Sequence, residues 1–130
     1  MRTLHADPYV TVTLDDSTSV VRYTRSSQAY PSIAELRACN EKVRAAFSTL
    51  PSGKLSLLID VQSAPPRNDD AFEAEVLEAL RLLATQFPVR ATLVRTAVGK
   101  LQTQRLARTR DDDVQVFSNE AEALAYLSRR

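Results

Sequence analysis

The sequence predicts a single α/β domain with a mixed, mostly parallel sheet and helices packed against it. β-Branched runs of strand length alternate with longer segments in which apolar residues recur every three or four positions, a pattern typical of repeated strand–helix units. The run 55–61 is almost continuously apolar, as expected of a central strand covered on both faces. The 130 residues suffice for one core and contain neither an internal repeat nor an interdomain linker.

The first elements are predicted to form a β-hairpin. Short β-branched runs at 11–14 and 20–24 lie on either side of an Asp/Ser-rich stretch at 15–19, and such a stretch is typical of the turn of a hairpin. We expect residues 1–8 to be an N-terminal segment prone to fraying, and residues 9–130 to form the domain.

A first helix is predicted to begin at Ser32. Glu35 follows three residues later, which is the spacing of a capping box. The helix ends before the Pro-Ser-Gly stretch at 51–53, and the apolar strand 55–61 comes next. The inward face of this helix is predicted to consist of Ile33, Leu36, Cys39, Val43, Phe47 and Leu50.

The second half of the chain continues the alternation and completes the order ββαβαβαβα. A loop at 62–68 is followed by Asp69 and Asp70, which precede a second helix and whose charges suit its N-terminus. Pro88 ends that helix. Strands at 91–94 and 114–117, a short helix at 100–108 and a last helix capped by Ser118 or Asn119 follow. The predicted inward residues of these helices are Phe72, Val76, Leu80, Leu83 and Phe87, then Leu101 and Leu106, and finally Ala121, Leu124 and Leu127.

Composition excludes several classes of protein. The formal net charge of +1 gives no general attraction to nucleic acid or to an anionic membrane. One cysteine can form neither an intramolecular disulfide nor a structural zinc site. There is no apolar stretch of bilayer length and no signal-peptide core. We therefore expect a soluble cytoplasmic domain with no cofactor, no metal, no nucleic-acid partner and no membrane partner.

The element order and three segments resemble the STAS or SpoIIAA-like domain, the fold of anti-sigma-factor antagonists. The segments are LLID at 57–60, RNDD at 67–70 and VFSNEAEAL at 116–124. The resemblance spans about residues 9–130 and implies a bacterial, non-enzymatic regulatory domain that binds another protein. In family members of the sporulation type, a kinase phosphorylates a serine at the start of the helix after the central strand, and this switches partner binding off.

The chain departs from the family at the residue that carries the switch. Counted from Asp60, the positions where the family has Asp-Ser-Ser fall on Asn68, Asp69 and Asp70. A carboxylate cannot accept a phosphoryl group as a serine hydroxyl does, but it supplies permanently the negative charge of a phosphoserine. The resemblance therefore implies a regulatory-protein partner that binds around the start of the second helix, at Arg67, Asn68, Asp69, Asp70 and Glu73.

Charge is segregated along the chain despite its near-neutral total. Acidic residues crowd the second helix, whereas residues 79–110 contain no acid. That stretch carries Arg81, Arg90, Arg95, Lys100, Arg105, Arg108 and Arg110. Patches of opposite sign can steer a protein partner or pair two copies of the chain, so a homo-oligomeric structural subunit is a further possibility. A solvated helix face is the simpler interpretation of any single charge.

Two ligand-binding alternatives involve the ends of the later strands. Thr96, Gly99 and Lys100 lie where a strand gives way to a helix, a position at which open α/β sheets bind anions, although the motif lacks the glycines of a P-loop. Asp15, Asp16 and Asp60, together with Thr96 and Lys100, match the residue types of a phosphoacceptor receiver site. The hairpin, however, is expected to hold Asp15 and Asp16 far from Asp60.

Nucleophilic catalysis by a thiol is not predicted. Cys39 lies on the apolar face of the first helix, and the only histidine, His5, lies in the terminal segment. A Cys–His pair must be within hydrogen-bond reach to be reactive, and the sequence gives no reason to place these two residues together. Cys39 is therefore interpreted as a core residue.

Overall fold

A computed structural model of the chain describes residues 1–65, 70–96, 101 and 115–128. Within α2 it describes the backbone, but not the side chains, of Glu73, Leu77 and Leu80. The strands are β1 (Arg2–Ala6), β2 (Val10–Asp15), β3 (Val20–Arg25), β4 (Ser56–Asp60), β5 (Arg90–Leu93) and β6 (Gln115–Phe117). The helices are α1 (Ile33–Phe47), α2 (Asp70–Gln86) and α3 (Glu120–Ser128).

The six strands form one mixed sheet in the order β1-β2-β3-β4-β5-β6. β1 and β3 pair antiparallel with β2, whereas the pairs from β3 to β6 are parallel. This confirms the predicted α/β class and the mixed, mostly parallel sheet. Because β3 to β6 run in one direction, their C-terminal ends lie along one side of the sheet, which we call the carboxyl edge. The predicted helix at 100–108 falls outside the described residues, apart from Leu101.

The predicted hairpin is confirmed, with its turn at the opposite end of the sheet from the carboxyl edge. The Asp15 carboxylate accepts hydrogen bonds from the Ser17 amide at 3.0 Å and from the Ser17 hydroxyl at 2.7 Å. Ser19 closes the turn in the left-handed region, with a φ of 60°. The Asp15 carboxylate thus provides a hydrogen-bond acceptor for a backbone N–H group of the turn that does not pair with a strand.

The N-terminal segment, for which the sequence predicted no strand, forms the edge strand β1. It pairs with β2 from Arg2 opposite Leu14 to Ala6 opposite Thr11, with a register shift between Thr3 and His5. Its residues alternate too weakly to signal a strand. The strand forms because β2 offers a free backbone edge and because Asp7 holds the connection between the two strands.

Helices cover both faces of the sheet. Leu57 and Leu58 are both fully buried, but they belong to different clusters because successive side chains of a strand point to opposite faces. Leu57 lies in the larger cluster with residues of α1 and α2, and Leu58 lies with Ala123 and Leu127 of α3. In the part of the chain that is described, no helix combines the length and the apolar character needed to cross a membrane.

α1 agrees with its prediction. The Ser32 side chain caps it by accepting a hydrogen bond from the Glu35 amide at 3.2 Å. Four of the six predicted inward residues are buried, and Ile33 and Leu50 pack against the cluster while partly buried.

The predicted inward face of α2 is wrong at Val76. Phe72 and Phe87 are buried and Leu83 is partly buried, but Val76 is 45% exposed. Each residue turns about 100° around a helix, and the buried stripe follows the side that carries Glu75 and Gln86, which are both partly buried. Val76 therefore lies on the rim of the stripe. The structure does not describe the Leu80 side chain.

The predicted inward residues of the later helices also need correction. In α3, Ala123 and Leu127 are buried, whereas Ala121 and Leu124 are exposed. The side chain of Asn119 caps the helix at the Glu122 amide, as predicted. At about 100° per residue, positions 123 and 127 lie on one side of the helix, whereas 121 and 124 point away from that side. Leu101, also predicted to point inward, is 63% exposed. Leu106 lies outside the described residues.

Candidate functional site

The carboxyl edge is where the chain's described functional groups converge. α1, α2 and α3 each begin there, because each follows a strand whose C-terminal end lies at that edge. The connection between β1 and β2 lies at the same edge, since Val10 pairs with Arg25 at the end of β3. Ligand sites of open α/β sheets also lie at this edge.

The structure places one predicted partner-binding residue in full. Asp70 is the first residue of α2 and is exposed at the carboxyl edge. Its carboxylate thus lies at a helix N-terminus, where unpaired backbone N–H groups favour negative charge. Glu73 lies within the first turn of α2, and its side chain is outside the description. Arg67, Asn68 and Asp69 lie outside the described residues.

Of the predicted anion-binding residues, only Thr96 is described. It is exposed and follows β5 at the carboxyl edge. Gly99 and Lys100 lie outside the described residues.

Arg22 forms the main charged contact of the carboxyl edge. Its Nη2 atom donates a hydrogen bond to Asp60 Oδ2 at 2.8 Å, and the same nitrogen donates to Glu120 Oε1. The Asp60 side chain is only 9% exposed, whereas that of Glu120 is 48% exposed. Partial burial alone would lower the pKa of the Arg22 guanidinium, but the bonds to the two carboxylates outweigh burial and raise the pKa. The ion pairs join β3, β4 and α3.

The same network continues into the loop that leads to α2. Asp60 Oδ1 accepts a hydrogen bond from the Gln62 amide at 3.1 Å, and Arg95 Nε donates to the Gln62 carbonyl oxygen at 2.9 Å. Gln62 is therefore held from both β4 and the end of β5. We call Arg22, Asp60, Gln62, Arg95 and Glu120 the Arg22 network.

The hairpin acid of the receiver-like pattern lies far from Asp60. Asp15 ends β2 at the turn and pairs with Val20, the first residue of β3, whereas Asp60 pairs with Thr24 near the end of β3. At about 3.3 Å per residue, roughly the length of β3 separates the two carboxylates. The expectation that the hairpin holds Asp15 far from Asp60 is confirmed.

A second polar cluster surrounds Asp7 in the β1–β2 connection. Its Oδ1 atom accepts hydrogen bonds from the amides of Tyr9 and Val10, at 2.7 and 2.8 Å. Its Oδ2 atom lies 2.6 Å from His5 Nε2 and accepts the Cys39 thiol at 3.4 Å. One carboxylate thus ties β1 and β2 to α1.

Two tyrosines and an arginine lie beside this cluster. The Tyr30 hydroxyl lies 3.5 Å from Cys39 Sγ, and its ring lies 4.6 Å from that of Tyr9 between centroids. The Arg25 guanidinium lies 4.5 Å above the Tyr30 ring and donates to the Tyr9 carbonyl oxygen. Burial raises the pKa of Tyr23 in the same region to about 12. We call His5, Asp7, Cys39 and Tyr30 the Asp7 cluster.

The interpretation of Cys39 as a core residue agrees with its surroundings, but the expectation that no histidine lies near it is wrong. The register shift in β1 places His5 opposite Val12, so that His5 and Cys39 contact the same oxygen of Asp7. Cys39 is 3% exposed. Burial raises the pKa of its thiol to about 11, and the Asp7 carboxylate adds to this rise. The thiol is therefore protonated at neutral pH, and a thiolate is the form that attacks.

Sequence reasoning missed both groups of contacts. Arg22 lies 38 residues from Asp60 and 98 residues from Glu120 in sequence, and no motif links positions so far apart. One signal was present: Asp60 ends an otherwise apolar, buried strand, and a buried carboxylate requires a partner.

Comparison with known proteins identifies the fold. No family model matches the sequence, and no curated protein matches it. The structure is similar to the crystal structure of an uncharacterized protein of the DUF3478 family, with a SpoIIAA-like fold, from Shewanella loihica PV-4. The TM-score is 0.68 at 11% sequence identity, over 95% of this chain and 97% of the other. The resemblance deduced from the element order is thereby confirmed at the level of architecture: the chain has a SpoIIAA-like fold.

Proposed function

We propose that the chain is a non-enzymatic regulatory domain that binds a protein partner at the carboxyl edge, around the start of α2. The observation that carries this proposal is the exposed Asp70 carboxylate at the first position of α2. In the antagonists whose fold the chain resembles, the phosphorylated serine lies at the start of the corresponding helix. A fixed carboxylate supplies a similar charge without a kinase.

The Arg22 network supports this placement. An interaction surface needs a defined shape, because ordering a mobile loop on binding costs free energy. Gln62, the second residue after β4, is hydrogen-bonded on both its amide and its carbonyl. Two hydrogen bonds therefore hold the backbone near the start of the connection to α2 without any contact from a partner.

The state of Cys39 supports the non-enzymatic part of the proposal. The chain has one cysteine and one histidine. The thiol is buried and protonated, and its polar contacts are with Asp7 and Tyr30. His5 lies against the Asp7 carboxylate and not against the sulfur, so the arrangement lacks the base contact that activates a thiol.

Affinity capture with matched variants tests the proposal. Wild type, Asp70→Ser and Glu78→Ser are immobilised, exposed to lysate of the native host, and compared by quantitative mass spectrometry. Glu78 is an exposed carboxylate on the same helix, about two turns further along. We expect a partner whose recovery changes by about fivefold, or ~1 kcal/mol, for Asp70→Ser alone.

Circular dichroism of the three proteins checks that the fold is unchanged. Equal recovery by wild type and Asp70→Ser would move the interface away from the start of α2. The absence of any specific partner would remove the support for an interaction domain.

A further inference from the structure

A single guanidinium nitrogen joins the start of α3 to the loop that leads into α2. Arg22 Nη2 donates both to Asp60 Oδ2 and to Glu120 Oε1. This nitrogen carries two hydrogens, so both bonds form at once. The two carboxylates therefore lie close together, and the guanidinium between them offsets their mutual repulsion.

The two carboxylates differ in their hydrogen-bond partners and in their exposure to solvent. Asp60 is nearly buried, and its other oxygen accepts the Gln62 amide at 3.1 Å. Glu120 is about half exposed and is the first residue of α3. Arg22 is thus shared between a carboxylate fixed to the β4–α2 loop and a carboxylate that a partner can contact.

We propose that Arg22 is a positioning residue that couples the first turn of α3 to the β4–α2 loop. When a basic side chain of a partner engages Glu120, Arg22 shifts toward Asp60, and the carboxylate that holds Gln62 adjusts. The proposed partner surface then extends from the start of α2 to the start of α3. This extension rests on the proposed function, whereas the coupling itself requires no partner.

Solution NMR of the purified protein measures the coupling directly. The Gln62 amide resonance is recorded in wild type, Glu120→Ala and Glu122→Ala. Glu122 is an exposed carboxylate in the same first turn of α3, and its backbone amide is held by Asn119. We expect Glu120→Ala to shift the Gln62 resonance and Glu122→Ala to leave it in place.

Repeating Glu120→Ala in an Arg22→Met background shows whether Arg22 carries the signal. We expect the Gln62 resonance of the double variant to coincide with that of Arg22→Met alone. Should Arg22→Met not fold, Arg22→Lys replaces it. An ammonium lacks the planar fork of a guanidinium, so the shift caused by Glu120→Ala should shrink there.

The proposal is overturned if Glu120→Ala leaves Gln62 unmoved in wild type, or if the shift is equally large in both backgrounds. Neither result depends on a partner, so failure here leaves the capture experiment on Asp70 to be judged separately. Conversely, a lysate without a partner does not alter the Gln62 measurement.

Discussion

The Cys39 thiol donates a hydrogen bond to Asp7 Oδ2 across the interface between α1 and the β1–β2 connection, at 3.4 Å. Burial of the sulfur and the neighbouring carboxylate act in the same direction and raise the pKa of the thiol to about 11. Burial, assisted by Asp7, thus keeps the only cysteine of the chain in its unreactive form.

The first prediction concerns thiol reactivity. At pH 8 only about one part in a thousand of a thiol with this pKa is ionised, so native protein should react with a disulfide reagent very slowly. Unfolding in urea should restore ordinary rates. The measurement is the labelling rate between pH 7 and pH 11, with and without denaturant. A fast reaction of the folded protein at pH 8 would contradict the described environment of Cys39.

The second prediction concerns acid stability. Burial alone would raise the pKa of Asp7, but hydrogen bonds from His5, the Val10 and Tyr9 amides and Cys39 outweigh it and lower the pKa below 3.8. A carboxylate with a lowered folded pKa stabilises the protein above its unfolded pKa, and this stabilisation is lost as pH falls through the folded pKa. Asp7→Asn should therefore cost about 1–3 kcal/mol at pH 7 and progressively less below about pH 4.

Urea unfolding of wild type and Asp7→Asn between pH 2.5 and pH 7 checks this pH dependence. Asp16→Asn is the control, because Asp16 is an exposed carboxylate whose ion pair with Arg2 spans 3.7 Å. A pH-independent difference between wild type and Asp7→Asn would show that its cause is packing and not charge.

The third prediction contrasts Val76 within α2 with Phe87, which directly follows the helix. Phe87 is fully buried, with its ring 5.2 Å from that of Phe47, so Phe87→Ala should cost about 3–5 kcal/mol. Val76 is 45% exposed, and Val76→Ala should change stability by less than about 0.5 kcal/mol. Chemical denaturation measures both. A large loss of stability in Val76→Ala would instead support the inward face that periodicity predicted.

The fourth prediction contrasts two arginines. Arg22 neutralises a nearly buried carboxylate, whereas Arg37 pairs with Glu75 at 2.6 Å while itself 65% exposed. Arg22→Met should cost about 2–3 kcal/mol, because it leaves Asp60 without its cation. Arg37→Met should cost less than about 1 kcal/mol. Equal losses, measured by denaturant unfolding, would indicate that water reaches Asp60 more freely than its burial implies.

The elements predicted correctly are those whose signals are local. The hairpin turn at Asp15, the cap at Ser32 and the buried strand through Leu57 each depend on residues within a few positions of one another. A SpoIIAA-like architecture follows from their order, and the structural comparison bears it out. The inward faces of α2 and α3 were harder to predict, because apolar periodicity marks a broad stripe and does not decide which of its residues, such as Val76 and Leu124, lie exposed at its rim.

The polar contacts could not be predicted because they depend on register. Whether Arg22 meets Asp60 depends on which residue of β3 lies opposite which residue of β4. Whether Glu120 reaches the same arginine depends on where α3 packs on the sheet. Hydrophobic pattern defines the faces of strands, but it does not define these pairings.

The register shift in β1 has a consequence for how this part of the molecule tolerates change. Strand side chains alternate between the two faces of a sheet, and the extra residue between Thr3 and His5 brings His5 opposite Val12, on the side of Asp7 and Cys39. Deletion of one residue before His5 would move the His5 side chain to the opposite face of the sheet, although no side chain would be replaced. Homologous chains should therefore tolerate amino-acid replacements in β1 more readily than single-residue deletions.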